Sequence, residues 1–296
     1  MSDAEPFSID KALLRRSFDR AASTYDAAAV LQAEVGRRLL DRLELTRLKP
    51  QQILDLGCGT GVATRALRRR YPHARVVALD LSEQMVRHTR ARCGWLRRPL
   101  PVCADLDRLP LAPESVDLIY SNLALQWSNA LEPALAGLLP TLRPGGMLMF
   151  TTFGPDTLKE LREAWAEVDG HTHVNRFHDM HDIGDWLMHT GFAEPVMDME
   201  RLTVTYATLD ELIRDLRLIG AQNRTQGRPR GLRGRDRVAR LRQAYEVRRH
   251  SDGRIPATYE VVYGHAWRAS RPSVRRPTAP GEIQIPLEQL RRSRSR

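Results

Sequence analysis

The stretch LDLGCGTG, residues 54–61, constrains this chain more than any other. Its three glycines follow an apolar run, QQILDL (51–56), and precede VATRALRRRY (62–71), which reads as a helix. Glycine adopts positive φ without steric cost and lets a ligand come close to the backbone. A glycine loop that leaves a strand and opens a helix is therefore a candidate ligand cradle. The rest of the chain has to say which ligand.

The alternation around the loop sets the fold class. ARVVALD (74–80), PLPVCAD (99–105), SVDLIYSN (115–122) and MLMFTTFG (147–154) read as strands. SEQMVRHTRARC (82–93), with Ser82 as N-cap, and LEPALAGLLPTL (131–142) read as helices between them. Strand and helix in alternation predict an open, mostly parallel sheet with helices on both faces. Residues 10–48 read as helices, with a break at 23–26. After residue 155 come a helix, DTLKELREAWAEV, a short one ending near Gly191, a strand at 195–206 and an amphipathic helix at 208–220. ATYEVVYGHAW (257–267) is the last strong strand, and the tail from Arg268 has the composition of a disordered segment.

Spacing separates two kinds of nucleotide loop. The dinucleotide pattern G-x-G-x-x-G needs a glycine at position 62, where Val62 stands. Instead Asp55 precedes Gly57, Gly59 and Gly61 in the order D-x-G-x-G-x-G. An acid at the end of the second strand, Asp80, has the position that accepts hydrogen bonds from ribose hydroxyls in such folds. This set resembles motif I of the S-adenosylmethionine-dependent methyltransferases. The resemblance implies that the loop backs the methionine part of S-adenosyl-L-methionine and that Asp55 organises the loop and reaches the amino group. It also implies that Asp80 and Leu81 meet the ribose, that Asp105 and Leu106 meet the adenine, and that Asn122 borders the cofactor. The fold implied is α/β: a Rossmann-like class I methyltransferase with a seven-stranded, mainly parallel sheet whose last strand is antiparallel.

The methyl acceptor is read from SNLALQW (121–127), at the end of the fourth strand. It holds neither the Pro-Pro-aromatic pattern suited to amino groups nor a cysteine suited to C5 of pyrimidines, and no general base stands out. That fits an acceptor already nucleophilic at neutral pH. A carboxylate, with a pKa near about 4, is one. It needs desolvation, in-line placement and a cation, for which arginine's planar fork is best suited. The segments SNLALQW, HVNRFHDMHDIGDWL (173–187) and TYEVVYG (258–264), with FDRAASTYD (18–26), resemble the malonyl-acyl-carrier-protein O-methyltransferases of biotin synthesis. That resemblance, over about residues 10–267, implies masking of a malonyl thioester carboxylate as a methyl ester, which then passes through chain elongation. It makes Arg176 the candidate carboxylate holder and Tyr25 a lid residue that closes over the cofactor or donates a hydrogen bond to the acceptor. Gln126, Trp127 and Tyr259 are candidate pocket residues. His173, His178 and His181 are close in sequence, but the reaction needs no Lewis acid, and no metal is expected.

Formal net charge is +10, which favours anionic partners. Residues 221–254 carry eleven arginines against Asp236, Glu246 and Asp252. Arg228, Arg230, Arg233 and Arg235 belong to a basic face suited to an acidic malonyl-acyl carrier protein. Nucleic acid is not expected, since no aromatics interleave residues 221–240. Three cysteines at unrelated spacings give neither a disulfide framework nor a zinc pattern. The N-terminus lacks an apolar leader core and no run is long enough to span a membrane, so the expected compartment is the cytoplasm. The organisation expected is an N-terminal helical lid (1–48), a cofactor-binding core (49–206), a basic helical insertion (207–256), the final core strand (257–267) and a basic tail (268–296). Two alternatives stay open: methylation of another small carboxylic acid or hydroxylated metabolite, and a non-catalytic module that binds an anionic partner through its basic face.

Overall fold

The computed structural model describes residues 6–94, 98–228 and 235–270. Seven strands make one sheet: β1 (Gln52–Leu56), β2 (Arg75–Asp80), β3 (Leu100–Cys103), β4 (Val116–Asn122), β5 (Leu142–Phe153), β6 (Ala193–Tyr206) and β7 (Ile255–Trp267). Their order is β3-β2-β1-β4-β5-β7-β6. β1 pairs in parallel with β2 and β4, β2 with β3, and β4 with β5, while β7 runs antiparallel to both β5 and β6. The order reverses between β1 and β4, and sheets of this kind hold ligands beyond the strand ends at that reversal.

The central strands are apolar on both faces because helices cover both. On one face Leu54, Leu56, Ile119, Leu148 and Phe150 pack with Leu131, Leu135 and Leu138 of α6 (Leu131–Leu138, Leu138 ending the helix) and Ile183 and Leu187 of α8 (Met180–His189). On the other, Ile53, Leu118, Tyr120, Met147 and Met149 pack with Val35 and Leu39 of α3 (Val30–Arg42) and Leu67 of α4 (Val62–Arg70). A third cluster joins α7 (Lys159–Ala166), α9 (Leu209–Leu218) and α10 (Arg235–Glu246) to β7 through Leu161, Trp165, Leu212, Leu241, Tyr245 and Tyr259. The helices between β6 and β7 therefore share a core with the sheet.

The N-terminal region forms α1 (Lys11–Ala21), α2 (Tyr25–Ala28) and α3, with the interruption at 22–24 close to the break expected at 23–26. Asp10 caps α1 by accepting the Leu13 N–H at 3.0 Å. Ser82 caps α5 (Glu83–Arg92) through the Met85 N–H. α7 starts later than its sequence pattern suggests. Leu158 adopts a left-handed conformation, φ 54°, and its N–H is held by the Thr258 carbonyl at 2.7 Å. The tail beyond residue 270 lies outside the described residues.

Gly264 of β7 faces Phe150 of β5, and a Cβ there would stand 2.4 Å from the ring. Phe150 is fully buried, so the ring has nowhere to go. Gly264→Ala is expected to lower stability by about 1–3 kcal/mol, read from the urea midpoint. An unchanged midpoint would refute this account of the packing.

Candidate active site

A cavity of about 510 Å³ opens at the C-terminal ends of β1, β2 and β4, within the usual size range of small-molecule sites. Its floor is the loop after β1. Gly57, Gly59 and Gly61 all have positive φ, at 78°, 53° and 88°. The three do different work. A Cβ on Gly57 would meet Ala124 at 2.3 Å, and one on Gly61 would meet Thr89 of α5 at 2.8 Å. One on Gly59 would meet no protein atom, because Gly59 faces the cavity.

Asp80 ends β2 on the cavity wall. Its two carboxyl oxygens accept the N–H groups of Gly59 and Ser82, each at 2.9 Å. Enclosure pushes its carboxyl up to about 6, against the pull of the Ser82 and Gly59 amides. Asp55 behaves differently from the expectation that it reaches a ligand. It lies in β1 beneath the loop, 1% exposed, and does not line the cavity. It accepts the hydroxyl of Thr64 in the first turn of α4. Strand alternation aims it beneath the loop, so it organises the strand–helix junction. Burial raises its carboxyl to about 7, with Thr64 pulling the other way. Gly61 likewise belongs to the packing of α4 on α5 and not to the cavity wall.

The N-terminal helices roof the cavity through Lys11, Leu14 and Phe18 of α1 and Tyr25 of α2. Polar contacts tie them down. The Thr60 hydroxyl donates to Asp26 at 2.5 Å and that of Ser82 to Asp19 at 2.6 Å. Lys11 bridges Asp105 and Asp107 at 2.8 and 2.9 Å. Burial, then the charges of Asp80 and Asp26, push the Tyr25 phenol well above its ordinary value, so Tyr25 is a neutral O–H donor. A strap at 6–10 pairs with 224–228: Asp10 N–H to Arg224 O, Gln226 N–H to Ser8 O and Gly227 N–H to Pro6 O.

Of the remaining sequence candidates, Leu81, Asp105, Leu106, Asn122, Gln126, Trp127 and Tyr259 all line the cavity. Gln126 Nε2 donates to Leu123 O at 2.7 Å, and the Trp127 ring meets Phe18 edge-on at 5.4 Å. Arg176 departs from expectation. In the VNRF segment Val174 and Asn175 are buried, and Arg176 is exposed. It lines a smaller cavity, about 280 Å³, that shares Gln126, Phe153, Asn175 and Phe177 with the large one. The histidines are not gathered together. His173 stacks on Trp165 and bonds Asp169, His178 meets Trp186 edge-on, and His181 bonds Asp179. Arg228 borders the cavity, while Arg230, Arg233 and the side chain of Arg235 lie outside the described residues.

Three features escape sequence reading. Leu123 takes φ 50° on the cavity wall, a conformation that costs about 1–2 kcal/mol. Its N–H is held by both the carbonyl and the hydroxyl of Thr151, at 3.1 and 2.9 Å. The same hydroxyl donates to Asn122 Oδ1 at 2.8 Å, which positions the end of β4. Asn175 is buried with an unpartnered Oδ1, and Arg217 of α9 reaches the cavity edge. None of these carries a local sequence signal, since each depends on partners brought together by the fold.

The comparisons fit this geometry. The family described as "Methyltransferase domain" matches residues 53–146, which include the glycine loop, Asp80 and Asp105. A malonyl-acyl-carrier protein O-methyltransferase of Halorhodospira halophila is 50% identical over 99% of this chain and all of its own length. That of Laribacter hongkongensis is 55% identical over 90% of this chain and 93% of its own. The chain belongs to the malonyl-acyl-carrier protein O-methyltransferase family. Solved structures give the fold. The YcgJ protein of Bacillus subtilis superposes with a TM-score of 0.55 at 13% identity, covering 79% of this chain and 99% of that one. A phosphoethanolamine N-methyltransferase of Haemonchus contortus, in complex with S-adenosyl-L-methionine, gives 0.51 at 17% identity, covering 86% of this chain and 60% of that one. Among the described residues no helix is long and apolar enough to cross a membrane. Nor does any group of three or more His, Cys, Asp or Glu side chains converge as a metal site among them.

Asp55 offers a clean test of the buried loop acid. Its folded value, about 7, lies above its unfolded one. Its stabilising contribution is therefore complete below about pH 4 and lost as pH rises through about 7. Asp55→Asn is expected to raise Tm, relative to the wild type, by about 5–10 °C more at pH 8.5 than at pH 5. A difference that does not change with pH contradicts the burial argument.

Proposed function

We propose that this chain methylates the free carboxylate of a malonyl thioester carried by an acyl carrier protein, using S-adenosyl-L-methionine, to give the methyl ester. The observation that carries the reading is the polarity of the cavity. Asp80 and Asp105, the latter paired with Lys11, border the cavity together with Arg217, Arg224 and Arg228. A cationic ligand and an anionic one are both provided for. The relatives' names supply the identities.

The cavity residues fit the cofactor. Gly59 leaves open the space a side chain would fill, and Asp80 offers carboxyl lone pairs beyond the two amides it accepts. Gly57, Gly59, Asp80, Leu81, Asp105, Leu106 and Asn122 are the residues assigned to hold it. When bound, S-adenosyl-L-methionine supplies a methyl carbon made electrophilic by a sulfonium centre.

The acceptor carboxylate is ionised at neutral pH, so the protein has no proton to remove. Its task is placement and dehydration. Leu14, Phe18, Trp127, Phe153 and Phe177 give the cavity apolar walls that exclude water. The neutral phenol of Tyr25 is suited to donate to one acceptor oxygen. Arg176 is assigned to the other where the two cavities adjoin, at the residues they share, Gln126, Phe153, Asn175 and Phe177. A fork there holds the carboxylate without enclosing the attacking oxygen. The basic face that includes Arg228, Arg230, Arg233 and Arg235 is assigned to steering the acidic carrier.

Incubation with malonyl-carrier protein and S-adenosyl-L-methionine is expected to raise the carrier's mass by one CH2, removable by ester hydrolysis. An unchanged carrier mass, with methylation of a free acid instead, would overturn the reading. Arg176→Ala is expected to lose about 10- to 100-fold in kcat/KM while keeping cofactor affinity. Full activity in that variant would remove Arg176 from the site.

A further inference from the structure

We infer that Arg217 and Arg228 form a receptor, at the rim of the cavity, for the phosphodiester of a phosphopantetheine arm. The inference rests on the malonyl-thioester reading above. It adds a second anionic subsite, separate from the one that takes the carboxylate.

Arg217 stands in the last turn of α9, exposed to solvent yet bordering the cavity. Arg228 is half-buried on the same cavity wall, and its Nη1 donates to the Thr225 carbonyl at 2.8 Å. Neither guanidinium has a carboxylate partner among the described residues. Pairing elsewhere is common but not general: Arg16, Arg20, Arg65, Arg69 and Arg90 have no acid partner either among the described residues. Arg37, Arg38 and Arg42 of α3, Arg87 and Arg92 of α5, and Arg237, Arg242 and Arg248 in or just beyond α10 each pair with an acid. What sets Arg217 and Arg228 apart is that they border this cavity with no acid partner among the described residues, Arg217 exposed at its edge.

The segment that presents Arg228 is built to hold still. Thr225 is fully buried, and its N–H donates to Asn223 Oδ1 at 2.9 Å. Asn223 Nδ2 in turn donates to the Thr172 carbonyl at 2.5 Å. Gln226 and Gly227 are pinned by the strap at 6–10. A rigid mount spares the ordering cost that a flexible arginine would meet on binding.

The chemistry of the ligand follows from its shape. A malonyl thioester travels at the end of a long neutral arm, with amides along it and one permanent negative charge at its far end, the phosphodiester. With the thioester deep in the cavity, that charge remains at the mouth. Two guanidinium forks match phosphate oxygens in geometry and sign. The same arm ends in a phosphodiester on a carrier protein and in a diphosphate in coenzyme A, so the subsite by itself recognises an arm with a phosphoryl anion at its end. The protein surface around it would choose between the two carriers.

The test compares KM for malonyl-phosphopantetheine and malonyl-pantetheine, which differ only in the phosphate. Malonyl-coenzyme A and malonyl-carrier protein are run alongside to separate the two sources. Wild-type enzyme is expected to favour the phosphorylated arm by about tenfold or more in KM. In Arg217→Gln/Arg228→Gln that ratio falls towards one. Arg214→Gln, which removes an exposed charge from the same helix without bordering the cavity, leaves the ratio as in wild type. A ratio near one in the wild type overturns the inference, as does a ratio unchanged in the double variant or lowered equally by Arg214→Gln. Calorimetry with phosphopantetheine and pantetheine themselves reads the same preference without turnover. Phosphate-dependent binding with no malonyl turnover would sink the function proposed above and leave the subsite standing. Malonyl turnover with no phosphate preference would do the reverse.

Discussion

The hydrogen bond from the Gly59 amide to the Asp80 carboxylate, 2.9 Å long, is the contact on which the site depends. It joins the loop after β1 to the end of β2 across a parallel pair of strands. Parallel pairing brings both strand ends to the same edge of the sheet, so the loop and the acid meet there and nowhere else. The bond also sets Asp80's character. Enclosure favours its neutral form and the amides favour its charged form, so it titrates in the range where a ligand's hydroxyls can shift the balance.

The roof is attached by the same chemistry as the floor. Asp19 takes the hydroxyl of the residue that caps α5, and Asp26 takes the hydroxyl of Thr60 in the glycine loop itself. Lys11 closes on Asp105 and Asp107. Each tie runs from the N-terminal helices to a segment that also borders the cavity or flanks the glycine loop. Cover and cradle are therefore coupled, and a change in one is felt in the other.

Much of this was legible in the sequence, and the reason is local. The glycine loop, the acids that end β2 and follow β3, and the strand–helix rhythm are written within short windows, each set by backbone sterics or apolar periodicity. What failed to show was decided by distant partners. Asp55 reads as a ligand-facing acid until strand alternation turns it under the loop to Thr64. Arg176 reads as a cavity arginine until burial of Val174 and Asn175 turns it to the adjoining pocket. Thr151 looks like any strand threonine, yet its hydroxyl holds both Leu123 and Asn122 in place. Arg217 is one arginine among many in the sequence, and only the fold sets it at the cavity's edge.

The cradle proposed here to bind the adenosyl cofactor is preformed, with Asp80 as its hydrogen-bond acceptor. Calorimetric titration with S-adenosylhomocysteine, the demethylated product, at pH 5 and pH 7.5 tests it most directly. With Asp80 titrating near about 6, the account predicts one site per chain, up to about tenfold tighter at pH 7.5 as the carboxylate ionises, and a flat pH response in Asp80→Asn. No heat at either pH, or an affinity in the wild type indifferent to pH, would contradict it.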